Sequence, residues 1–181
     1  MSEPRAEAMA PGTEKKTMTV PELFLTEFDE EIPGARRMLE RVPEASFSWK
    51  PHDKSMTLGR LASHVADLPQ RCTAIVTTDA LVRSPGFTPY IAATASELVE
   101  HFDTVSAEAR TALAGLRDDQ LSVIWSIKMG DRVITSLPRA MALRRVFMDH
   151  LIHHRGQLSV YLRLLDVPIP GMYGPSADDP R

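Results

Sequence analysis

The sequence predicts an all-α protein, a four-helix bundle with a long crossover connection that contains a short β-hairpin or an extended crossing loop. Three observations carry this. Four long segments repeat apolar residues every three or four positions, the period of an amphipathic helix. Prolines, glycines and capping threonines punctuate the stretches between them. Ahead of the fourth segment the period changes to alternation on either side of Gly130. Helices with one apolar stripe each must bury those stripes against one another, and a bundle does this for four of them.

Residues 1–18 are polar, have no apolar stretch and are expected to form a disordered leader, with Met18 an alternative start to Met1. Residues 19–181 are expected to fold as one domain. The first helix opens at Thr19, a capping residue, with Pro21 in the first turn, where a missing N–H costs nothing. Leu23, Phe24, Phe28, Ile32, Ala35, Leu39 and Val42 mark its stripe, and Pro33 with Gly34 predicts a kink or local break. SFSWKPHDKSM follows neither period and is expected to be an irregular connection. Thr57 then caps a second helix, Leu58 to about Thr78, striped by Leu58, Leu61, Val65, Leu68, Cys72, Ile75 and Val76 and bent by Pro69.

LVRSPGFTPY, with two prolines and a glycine, is expected to be a loop. The third helix, about Thr94 to Leu116, carries Leu98, Phe102, Val105, Ala109, Ala112, Leu113 and Leu116 on one face. In VIWSIKMGDRVITSLP two short β-branched segments flank Met129-Gly130-Asp131-Arg132, which predicts the hairpin or crossing loop. The fourth helix starts near Pro138 and runs to about Leu165, striped by Leu143, Phe147, Leu151, Leu158, Leu162 and Leu165. Pro168 and Pro170 prevent its continuation.

Composition narrows the functional classes. The 181 residues suffice to bury a core, and 43% apolar with 25% charged residues is ordinary for a globular chain. A net charge of −3 gives no basic footprint for nucleic acid, so no nucleic-acid partner is expected. One cysteine, Cys72, rules out an internal disulfide and suits a reducing cytoplasm. There is no uninterrupted apolar run of membrane-spanning length, so no membrane association is expected.

The fourth helix contains DHLIHHRGQL, with three histidines in five positions. His150 and His154, four apart, share a helix face and can grip one cation together. His153 points away from both and is expected to face solvent or a neighbouring subunit. Leu151 stands where HExxH proteases need their glutamate, which excludes that chemistry. A third ligand must come from another helix, and His64, on the buried face of the second, is the candidate. The alternative for His64 is a core histidine satisfied by a carbonyl or water. Gln157 and Tyr161 continue the polar row of His150 and His154, as orienting groups or as satisfied polar residues near the bundle mouth. Asp67, three residues after His64, is a base, a partner to a ligand or a solvated helix residue. His52 and His101 carry no assignment.

SWKPHDKSMTLGRLASHVADLP around His64, HLIHHRGQLSVYLRLLDVP around His150 and His154, and the tail YGPSADD together resemble the DinB-like superfamily, the DinB/YfiT-like metalloenzyme fold. The resemblance covers essentially the whole chain beyond the leader. It implies a four-helix bundle, commonly a homodimer, in which His64, His150 and His154 hold one divalent metal per chain, zinc or nickel. Three nitrogens leave at least one coordination position open, as a catalytic site requires. It also implies a small-molecule substrate and a thiol-dependent S-transferase or isomerase using a low-molecular-weight thiol such as bacillithiol, mycothiol or glutathione.

Two alternatives stand beside that function: a metal-dependent hydrolase, and a non-enzymatic, stress-related metal-binding dimer. The fourth helix offers no clear general base, which favours a thiol mechanism or simple binding over hydrolysis. Arg155 is expected in a structural ion pair or dimer contact, with an anionic substrate the alternative. Gly156 suggests close helix packing or room for a neighbouring group, and Cys72 a buried, inert thiol. Tyr173 is expected to pack back beside the site and Asp178 to reach a subunit contact or a cap.

Overall fold

A computed structural model describes residues 17–180. Most of the expected leader therefore lies outside the described residues. Helix α1 (Val20–Leu39) begins with Thr19 and Glu22 capping each other reciprocally, which satisfies two orphan N–H groups. Helical hydrogen bonding continues across Pro33, so the expected break is absent; the helix ends at Leu39 rather than Val42. Gly34 is buried where Arg155 passes: an added Cβ would stand 3.1 Å from its Nη1. Leu23 departs from the predicted stripe and is exposed, while Phe24, Phe28, Ala35 and Leu39 are buried.

Helix α2 (Leu58–Thr77) starts at Thr57, whose hydroxyl accepts the Arg60 N–H, and runs unbroken through Pro69. Every apolar position of its stripe from Leu58 to Ile75 is buried. Helix α3 (Ala95–Ala114) is capped by Thr94 and buries Leu98, Phe102, Val105, Ala109 and Leu113.

The expected hairpin is present as β2 (Ile124–Met129) and β3 (Arg132–Pro138), paired antiparallel around Gly130 at φ 55°. A third strand, β1 (Ala80–Arg83), joins β2 in parallel, with Ala80 opposite Ser126 and Arg83 opposite Met129. This corrects the expectation that LVRSPGFTPY is wholly loop. Trp125 of β2 is fully buried and fixes the small sheet to the helices.

The fourth helix spans 139–164 in three parts: an α-helical turn Arg139–Ala142, a π-helical stretch Leu143–Met148 and an α-helix Asp149–Leu164. Leu143, Phe147 and Leu151 recur every fourth residue, and in an α-helix each such step overshoots a full turn by about 40°. The wider π turn absorbs that drift, and all three side chains stay buried. Buried Arg139 ties the start of this helix to the end of α2. Its guanidinium donates to the carbonyls of Ile75 at 2.8 Å and Thr78 at 3.0 Å.

No helix among the described residues is long and apolar enough to cross a membrane.

Candidate metal centre

Capping at Thr57 sets the register of α2 and turns His64 toward the fourth helix. There the segment just beyond the π-helical stretch presents His150 and His154. The three imidazoles converge: one nitrogen of each lies within 4.8 Å of the others. Nε2 of His64 and Nε2 of His150 are 3.0 Å apart, and the His64 ring meets that of His154 edge-on at 4.6 Å between centroids. All three are half-buried, while His153 is exposed. Such a cluster could hold a metal ion.

The surroundings keep the cluster neutral. Burial, reinforced by repulsion from His154 and Arg71, lowers the His64 pKa to about 3. Burial and then Arg71 lower that of His150 to about 4. His154 is also lowered, chiefly by burial, with the Gln157 hydrogen bond acting against it. Neutral imidazole is the form that ligates metals, so proton competition is weak near pH 7.

Neighbouring side chains fix the rings. The Gln157 amide oxygen sits 2.7 Å from His154 Nδ1, so Nδ1 carries the proton and Nε2 keeps its lone pair. Arg71 Nη1 lies 3.1 Å from His150 Nδ1. A guanidinium only donates, so Nδ1 accepts there and the His150 proton sits on Nε2, facing His64. Tyr161 spends its hydroxyl on the Met56 carbonyl at 3.2 Å and meets Trp49 edge-on, holding the segment before α2.

A cavity of about 240 Å³ opens beside the cluster, lined by His64, His154, Asp67, Arg60, Met56 and Tyr90 among others. Asp67 accepts from Nε2 of His101 at 3.0 Å, and Tyr90 stacks on the His101 ring at 3.8 Å. Ser63 anchors the loop that carries Tyr90, because its buried hydroxyl accepts the Ala92 N–H at 3.0 Å.

The DinB family model matches residues 15–181. The chain belongs to the DinB family. The DinB chain is 23% identical over 161 residues to the Bacillus subtilis protein YrdA, across 86% of this chain and 89% of YrdA. A DinB-like protein from Bacillus cereus superposes with a TM-score of 0.65 at 22% identity, covering 86% of this chain and 99% of that one. Another, YjoA from Bacillus subtilis, gives a TM-score of 0.63 at 18% identity, covering 83% and 96%. These likenesses establish the fold.

Arg155 is buried in a structural ion pair, 2.6 Å from Glu31. Tyr173 hydrogen-bonds to Arg155 and Glu31 and does not line the cavity beside the histidines. The expectation that it packs beside the site is thereby corrected. Asp178 pairs with Arg163 at 2.5 Å and accepts the Ile169 N–H, a cap of the C-terminal turn. Gly156 is exposed, and an added Cβ would meet nothing within 4 Å, so close packing among the described residues does not require it. Cys72 is buried, and burial raises its pKa, as an inert thiol requires. His52 is exposed and accepts the Lys54 N–H in a local turn.

Proposed function

We propose that this DinB-family chain is a small-molecule metalloenzyme, a thiol-dependent S-transferase with one zinc or nickel ion held by His64, His150 and His154. The observation that carries it is the convergence of three neutral imidazoles beside an open cavity that also contains a carboxylate. The donor set fits a divalent ion. Two nitrogens bound at about 2.1 Å to a tetrahedral centre stand roughly 3.4 Å apart, and the 3.0 Å between the His64 and His150 Nε2 atoms is close to that. His150 would have to shift its proton to Nδ1 and give up its contact with Arg71. When bound, the ion supplies a Lewis-acidic position that lowers the pKa of a thiol or water, with at least one position open.

The protein's residues supply the remainder. Gln157 holds His154 in the ligating tautomer. Asp67, facing the same cavity as His64 and His154, takes the thiol proton. The sulfur forms a bond to an electrophilic carbon as the bond to the leaving group breaks, and Asp67 returns the proton to that group. His101 and Tyr90 hold the Asp67 carboxylate in place. All three histidines come from one chain, so the homodimer that belongs to this proposal is not needed to complete the site.

Hydrolysis is the second reaction that the site supports, because Asp67 is the base that the fourth helix lacks. The two separate on incubating metal-loaded protein with low-molecular-weight thiols and an activated aryl halide. A thioether product that requires metal is expected, with the rate falling roughly 100-fold in Asp67→Asn. A hydroxylated product assigns hydrolysis. Neither product with any physiological thiol overturns both.

A further inference from the structure

A second cavity, of about 370 Å³, lies between α2 and β1 and is lined by Asp67, Arg71, Thr73, Arg83, Phe87 and Glu108 among others. We propose that it binds the carboxylate end of the small molecule whose other end reacts at the histidines. This rests on the metal-centre proposal above.

Two guanidinium groups face this cavity. Neither Arg71 nor Arg83 has a carboxylate ion-pair partner among the described residues, where the paired arginines are others. Arg83 is held over the Phe87 ring, with Cζ 4.9 Å from its centroid. Arg71 is half-buried, and its charge is repelled by Arg83 and attracted by Asp67. Two guanidiniums lining one sheltered cavity suit a carboxylate's two oxygens. Thr73 contributes a buried hydroxyl with no protein partner. Of the two acidic residues in the lining, Asp67 is engaged by His101 and Glu108 is exposed.

Arg71 connects this cavity to the histidines. Its contact with His150 requires an acceptor at Nδ1. Metal ligation through Nε2 would place the His150 proton on Nδ1 and remove that acceptor, leaving the guanidinium free for another. A ligand carboxylate in the cavity provides it. Asp67 lines both cavities, and in the proposed mode one small molecule reaches past it, with its reactive end at His64 and His154 and its charged end at Arg71 and Arg83.

The test uses 3-mercaptopropionate and 3-mercaptopropionamide, which differ only in the charge of one end. Each is titrated into the cobalt(II)-loaded full chain, and thiol binding is read from the sulfur-to-cobalt charge-transfer absorption. The carboxylate is expected to bind at least about tenfold more tightly than the amide. Arg83→Gln and Arg71→Gln should each bring that preference within about twofold. Equal affinities in the parent chain overturn the proposal, as does a preference that survives both substitutions. A preference lost only in Arg60→Gln also overturns it, by assigning the carboxylate to the first cavity. Failure of cobalt to bind counts against the metal centre instead, and the cavity is then judged by calorimetry of 3-mercaptopropionate with the metal-free chain. Binding heat that disappears in Arg83→Gln supports the carboxylate site, whereas no heat, or heat unchanged in that variant, overturns it.

Discussion

Within DHLIHHRGQL, adjacent residues have unrelated tasks because each successive side chain turns about 100° around the helix. His150 and His154 face His64, His153 faces solvent, and Arg155 is buried against Glu31. Gln157 lies almost one turn beyond His154 and holds its Nδ1 proton. If His154 ligates through Nε2, this contact fixes both tautomer and ring angle. Gln157→Leu should then weaken metal affinity on the order of tenfold, the low end for partners of ligating histidines because Gln157 is exposed. Competition with a chromogenic zinc chelator measures it. Gln157→Glu, which keeps an acceptor at that position, should retain most of the affinity.

The helices and the small sheet place these side chains, and their contributions differ in how visible they are from sequence. Arg139 joins the fourth helix to the C-terminal carbonyls of α2, the two elements that carry the histidines. Its replacement by methionine leaves the buried Ile75 carbonyl and the part-buried Thr78 carbonyl without their donor and should destabilise the fold by about 3 kcal/mol. Urea unfolding would show this as a lower midpoint with an unchanged slope. The helices were legible because each writes its own period and, in three of four, its own threonine cap. β1 was not, since four residues beside two prolines are too short for a period, and their strand state comes from pairing with distant β2. Pro33 misled on one point: helical hydrogen bonding continues through it without the break it suggested, as it does through Pro69. The π-helical stretch had a trace in the four-residue spacing of Leu143, Phe147 and Leu151, which helical periodicity alone passes over.

At the scale of the molecule, the bundle brings α2 and the fourth helix together so that one cavity opens beside the histidine cluster, and a second shares Asp67 with it. The three histidines were legible from spacing and family resemblance. Asp67 was named from its place three residues after His64, and Arg71 had a signal in principle, seven residues after His64 on the same helix face. His101, Tyr90 and Arg83 had none. Their places depend on how α3 rotates against α2, where the Tyr90 loop is anchored and which strand β1 pairs with. The central claim is a metal centre built from one chain, and the most direct measurement is the metal content of untagged protein purified without added metal. The account predicts about one zinc or nickel ion per chain, lost in the His64→Ala, His150→Ala double variant while helical content is kept. Metal retained by that variant, or a parent chain that neither carries nor takes up a divalent ion, would contradict it.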